Sequence, residues 1–232
     1  ASPTTFHLFH WANTKGPVFI EKPIAQVEDF GVAQDELVAR EGEITMVGNN
    51  LRFHSCVKAA REEMQSIGKP LWASFAVSQY NNKYTDPCIL NWGAHEVDAA
   101  LHLLGPARVV TASVAFATSG AVEEIADFLL IHDNGCRSSF HLDYVTPNEI
   151  REAWIVGDKE KIGLELRNRN ASLGTHAKAF GGSFDDDYLL EMKAFVDRID
   201  GKITPGATGW NGLATLDILL EDRAGLIYTA HK

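Results

Sequence analysis

The order of hydrophobic patterns changes once along this chain, near residue 53, and that change constrains the fold more than any single motif. Before it, helical and extended patterns alternate. FHLFHWANTKG over residues 6–16 sets Phe6, Phe9 and Trp11 on a helical repeat, with Thr5 offering an N-cap and Gly16 a stop. PVFI (17–20) reads as a buried strand, residues 27–43 as an amphipathic helix closing at Gly42, and ITMVGN (44–49) as a second buried strand. Strand, helix, strand at this spacing implies a parallel pair with a crossover helix. A helix over 55–67 follows, with Val57, Ala60, Met64 and Ile67 at core spacing. Beyond it, residues 71–80, 108–117, 125–132, 136–145, 151–157 and 160–166 are strand-like, and HDNG (132–135) is an Asn-Gly hairpin signal. The expectation is an antiparallel meander of five or six strands, interrupted by a helix at 94–105 and closed by helices near 185–200 and 211–229. Residues 168–183 read as a mobile loop.

Composition narrows the function. A formal charge of −10 argues against nucleic acid as a partner, since phosphate binding needs a positive surface. No apolar stretch reaches membrane length and residues 1–20 lack a basic-then-apolar signal pattern, so no membrane association is expected. Cys56, Cys88 and Cys136 form no CxxC pair, which suggests reduced thiols in a cytoplasmic setting and no structural zinc.

Two residues stand out chemically. Lys22 ends the apolar run VFIEKP; it either caps the strand and reaches solvent, or sets a cation at the carboxyl end of a parallel strand, where open α/β sheets bind ligands. His95 opens the helix AHEVDAALHLLG, with Asp98 three residues on and His102 seven on. That arrangement suits a proton shuttle titrating near the ordinary imidazole range, and equally suits a packing or capping histidine. The same face could be read as metal ligands, but a further ligand at the required spacing is lacking and no metal site is expected.

The segments Glu21-Lys22-Pro23, MVGNNLRFH (46–54), GKPLWASF (68–75) and ILNWGAHEVDAALHLLGPARVV (89–110) occur in an order and spacing that resembles the Gfo/Idh/MocA oxidoreductases. ASPTTFH (1–7) and the closing stretches 186–202 and 212–228 are similar too, so the resemblance covers nearly the whole chain. It implies an α/β (α+β) fold: the C-terminal part of a Rossmann dinucleotide-binding domain over residues 1–52, then a mostly antiparallel open-sheet domain with flanking helices over 53–232. The family's glycine-rich GxGxxG turn does not occur in residues 1–232, and the favoured reading is that the sequence is part of a longer polypeptide.

The implied activity is hydride transfer between NAD or NADP and a carbinol of a sugar, polyol or sugar derivative. The resemblance places Lys22, His95 and Asn91 as catalytic, and Ser2, Pro3, His7, Glu21, Lys22 and Pro23 against the cofactor, with a cis Lys22-Pro23 bond. Asn91 occupies a position where many relatives carry Asp, although sugar-nucleotide 3-dehydrogenase relatives also show Asn. Asn50, Arg52, Tyr80, Asn91 and Trp92 are the substrate-binding candidates. For Arg52 an inter-domain salt bridge competes with a grip on a substrate carboxylate or phosphate, and for Tyr80 and Trp92 core packing competes with sugar stacking. The resemblance further implies a homodimer or homotetramer joined through the C-terminal sheet. The alternative is a non-catalytic, truncated homologue serving as an oligomerisation or sugar-binding module.

Overall fold

The structure is a computed structural model that describes residues 10–80, 86–116, 123–224 and 227–230, with backbone only at 27, 221–224 and 227–230. Two sheets organise it. In the smaller, β1 (Val18–Glu21) runs parallel to β2 (Thr45–Gly48), with Glu21 opposite Gly48. The helix α1 (Phe30–Ala39) crosses between them, as a parallel pair requires. Ile20, Ala33, Leu37 and Val47 form its core with Trp11, whose segment shows helix only at 10–12 among the described residues. Arg40, at the end of α1, donates to the carbonyls of Trp11 and Gly16 at 3.0 and 2.8 Å and pairs with Glu43 at 2.6 Å, so both terminal nitrogens of a nearly buried cation are partnered.

After the helix α2 (Ser55–Glu63) comes β3 (Pro70–Ser78), then the short α3 (Cys88–Asn91) and α4 (Gly93–Leu104). The strands β4 (Ala107–Phe116), β5 (Ile125–His132), β6 (Arg137–Asp143), β7 (Ile150–Gly157) and β8 (Lys161–Glu165) follow. Next are β9 (Asn170–Leu173), β10 (His176–Ala179), α5 (Phe184–Ile199), β11 (Ala207–Thr208), α6 (Gly209–Ala224) and β12 (Ile227–Ala230). The large sheet has the order β10-β9-β8-β7-β3-β6-β5-β4-β12. The expected α/β class with a mostly antiparallel sheet and flanking helices is what forms.

Two expectations need correcting. The sheet is not a simple meander, because β3 inserts between β6 and β7 and lies parallel to β6. The connection from β3 passes through two helices, which is what permits a parallel partner that no hairpin could supply. Residues 168–183 are not a loose loop either: β9 and β10 pair as an antiparallel hairpin. The small polar residues there provide its turn, with Gly174 at φ 59°.

The Asn-Gly signal does mark the β5–β6 turn, where Gly135 adopts φ 86°. Phe75, Phe140 and Phe128 face one another across β3, β6 and β5, with ring centroids 5.0 and 4.4 Å apart. Their face of the sheet is covered by helices, whereas Leu129 and Ile131 on the opposite alternation are only half-buried. Every residue from Gly93 to Ala100 in α4 is buried. A Cβ on Gly93 would sit 3.0 Å from Leu219 of α6 and 3.4 Å from Leu142 of β6, so glycine allows α4 to start pressed between them. The smaller sheet is completed from far along the chain, since β11 pairs antiparallel with β2 and α6 packs over Ile24 and Val47. Among the described residues no helix is long and apolar enough to cross a membrane.

Candidate active site

The strand β1 ends at Glu21, the Lys22-Pro23 peptide is cis, and Ile24 and Ala25 bury beneath α6. Lys22 reaches across to α3. Its Nζ donates to the backbone carbonyl of Asn91 at 2.8 Å and to Asn91 Oδ1 at 3.0 Å. Asn91 is thus a double acceptor for the lysine and carries no charge to neutralise it. Burial lowers the Lys22 pKa to about 8, with Glu21 pulling it back up and Arg151 pushing it further down.

His95 sits one turn beyond Asn91 at the start of α4 and is 9% exposed. Burial drives its pKa well below the usual imidazole range, helped by the charges of Lys22 and Arg151. Its Nδ1 is enclosed with no hydrogen-bond partner among the described residues. This corrects two expectations from the sequence. The imidazole does not titrate near its ordinary value, and Asp98 is not its helper.

Asp98 turns instead to Arg52, whose Nε and NH2 donate to its two oxygens at 2.7 and 2.6 Å. Arg52 NH1 meets the Pro205 carbonyl and Asn211 Oδ1 at 3.3 and 3.4 Å. The salt bridge weighed for Arg52 is therefore present, with Nε and NH2 both given to Asp98. Asn50 is buried beside it in sequence, with Oδ1 lacking a partner among the described residues.

Trp92 is half-buried against the core, and Arg151 of β7 lies over its ring at 5.3 Å. Trp92 and Arg151 line a cleft of about 270 Å³ with Ser78, Gln79, Glu149, Arg167 and Phe184. Tyr80 is 57% exposed and is not a core residue, contrary to the packing alternative. Ser2, Pro3 and His7 lie outside the described residues.

Three contributors escaped the sequence reading. Arg151 looked like an ordinary strand-start residue; its position beside Lys22 and His95 depends on the β3–β7 pairing. Glu96, fully buried, holds Arg151 through its Oε1 at 2.8 Å from Nε. Glu191 of α5 is 1% exposed, and burial with the nearby Glu21 and Asp98 charges raises its carboxyl to about 8. The only sequence trace of Glu191 is a carboxylate on the apolar side of an amphipathic helix.

Against known proteins, residues 58–163 match the model of the GFO/IDH/MocA C-terminal domain. This stretch is a Gfo/Idh/MocA C-terminal domain. A D-apiose dehydrogenase from Rhizobium rhizogenes is 26% identical over 144 residues, covering 57% of this chain and 42% of that relative, so the match spans under half of that protein's length. An oxidoreductase from Agrobacterium radiobacter, solved with NAD+, L-tartaric acid and magnesium, superposes with a TM-score of 0.85 at 20% identity, covering 97% of this chain and 76% of that one. A UDP-N-acetylglucosamine 3-dehydrogenase from Acidithiobacillus ferrooxidans superposes at 0.83 with 18% identity over 97% and 76%. At these identities the likeness establishes that the Gfo/Idh/MocA domain and the smaller sheet share the fold of those oxidoreductases.

Proposed function

We propose that the protein is an NAD(P)-dependent oxidoreductase acting on a carbinol of a sugar, polyol or sugar derivative. The observation that carries this reading is the pairing of a half-buried Lys22 ammonium, held by Asn91 at the end of a parallel strand, with a buried neutral His95 one helical turn away. The names of the relatives agree with it: a D-apiose dehydrogenase, and oxidoreductases solved with NAD+ or with NADH.

The residues present fit the nicotinamide end of such a cofactor. Glu21, Lys22 and Pro23 stand at the carboxyl end of β1, and the buried acceptors Asn49 Oδ1 and Asn50 Oδ1 just past β2 have no partner among the described residues. A bound nicotinamide would supply the hydride chemistry. The protein's own contribution is positioning and charge. Lys22 has one proton left after its two bonds to Asn91 and can donate it to the substrate oxygen, favouring that oxygen as its negative charge grows. Enclosure of Nδ1 leaves Nε2 of His95 as the nitrogen that can take the hydroxyl proton during oxidation and return it during reduction. Because its pKa is depressed, the ring enters the reaction as a base at neutral pH.

Thermal-shift titration with NAD and NADP, followed by polyols in the presence of the dinucleotide that binds, tests this reading. It expects a dinucleotide-dependent rise in Tm and reduced dinucleotide formed with at least one polyol. No shift with either dinucleotide, together with no turnover, would instead favour a non-catalytic module.

A further inference from the structure

The cleft of about 270 Å³ lined by Trp92 and Arg151 adjoins the reacting groups, because Trp92 follows Asn91 in the chain and the charge of Arg151 is felt at both Lys22 and His95. Lys22 and His95 do not line it, so it falls to the part of a substrate that does not react. Its aromatic surfaces are unequal. The Trp92 ring already carries the Arg151 guanidinium at 5.3 Å, and Tyr80 lies outside the lining. Phe184, the first residue of α5, lines the cleft and is 38% exposed.

Buried groups hold that ring in place. Ser183 caps α5 by exchanging hydrogen bonds with Asp186, 2.6 Å from the Ser183 N–H to Oδ2 and 3.3 Å from the Asp186 N–H to Oγ, which sets the backbone of the first turn. Arg169, in the turn between β8 and β9, lies over the ring at 5.4 Å, and the His54 ring is tilted against it at 5.8 Å. Arg169 is itself locked. Its NH1 and NH2 donate to the two oxygens of Asp187 at 3.2 and 2.6 Å, NH1 also donates to Ser55 Oγ at 3.2 Å, and Arg169, Asp187 and His54 are all buried. The backbone of Arg169 has φ 55°, and among the described residues no other non-glycine adopts the left-handed region. Glycine would sit there at lower cost, so arginine stands at this position for its side chain. Strain of this kind persists where the surroundings dictate it, and a buried ion pair fixes geometry more than it adds stability.

We propose that Phe184 is the wall against which the substrate packs a carbon–hydrogen face, with Arg169 as the positioning residue that fixes the wall, so that Phe184 determines specificity for a ring over an open chain. A ring laid against a fixed aromatic buries apolar area without freezing torsions, whereas an open chain must give up several to present the same face. This rests on the oxidoreductase reading of the site and assigns residues to its specificity.

The test is calorimetric binding of myo-inositol and sorbitol, which have equal numbers of carbons and hydroxyls, to the parent, Phe184→Leu and Phe184→Tyr, with and without dinucleotide. A double variant, Arg169→Gly with Asp187→Asn, relieves the backbone strain and leaves no buried unpaired charge. In the parent myo-inositol should bind at least about tenfold more tightly than sorbitol. Phe184→Tyr should keep that margin, and Phe184→Leu should lose it with sorbitol affinity unchanged. The double variant should lose part of the margin while its circular dichroism spectrum matches the parent. Equal binding of the two probes to the parent, no binding of either, a margin that survives Phe184→Leu, or one lost alike in Phe184→Tyr would overturn the proposal. A full margin in the double variant would overturn the positioning role of Arg169. If both probes yield reduced dinucleotide with no margin that depends on Phe184, the oxidoreductase reading stands and this inference falls. If the margin follows Phe184 and no reduced dinucleotide ever forms, the reverse holds.

Discussion

At the scale of single residues, function and stability pull against each other around Lys22. Removing Lys22, His95 and Glu191 from water disfavours the charged form of each, so the fold holds groups with shifted pKa values where chemistry could use them. For oxidation, His95 must be neutral and Lys22 charged. The rate should therefore rise through an acidic limb below 6.5 and fall through an alkaline limb near 8, where Lys22 loses its proton. His95→Asn should abolish the acidic limb and lower turnover about 100-fold. If His95 only packs its helix, the pH–rate profile will keep that limb. Glu191 makes a separate prediction about stability. Its carboxyl is raised from 4.5 to about 8, so folding takes up a proton between those values and stability drops as pH rises through that window. Glu191→Gln should leave stability unchanged near pH 4 and raise it by on the order of 2 kcal/mol above pH 8, as read by urea denaturation at both pH values. An equal effect at both would show that Glu191 does not titrate this way. The positions of Lys22 and His95 were legible in the sequence because each interrupts an apolar pattern. Arg151 and Glu96 were not, because their pairing joins residues 55 apart through strand order.

Elements were legible wherever one period dominated. The two buried strands, the α4 helix and the β5–β6 hairpin lie within a residue or two of their expected bounds, since each carries a clean repeat or an Asn-Gly turn. Strand partners were not legible. The insertion of β3 beside β6 and the addition of β11 to the smaller sheet are set by how helices cover the sheets, which period-two patterning does not encode. One consequence appears at the end of β7. A Cβ on Gly157 would fall 2.0 Å from the Ile67 backbone carbonyl oxygen, where the turn after β7 clamps the chain following α2. Backbone cannot yield as a side-chain tip can, so Gly157→Ala should destabilise by about 3 kcal/mol. Gly135→Ala is strained only by its positive φ, with nothing within 4 Å of the added carbon, and should cost about 1 kcal/mol. Equal midpoints for the two variants in thermal unfolding would contradict this reading of the β7 turn.

Over the whole molecule, the site draws its residues from both sheets: Lys22 from the end of β1, Asn91 and His95 from the helices against the large sheet, Arg151 from β7. The large sheet has one face under helices, and we propose that the other, with Leu129 and Ile131 half-buried, joins a second copy of the chain. Light scattering at micromolar concentration should give at least twice the 25.5 kDa chain mass, and a monomer would contradict that assembly. The account as a whole stands on Lys22 as the charge that meets the substrate oxygen. The most direct measurement compares the parent with Lys22→Met, following reduced dinucleotide by its absorbance with a turned-over polyol or sugar, after matching circular dichroism spectra show both folded. The account predicts a loss of about 100-fold or more in kcat with dinucleotide affinity little changed, as for removal of a preorganised donor. Near-parental kcat in Lys22→Met would show that the lysine does no more than bridge β1 to Asn91.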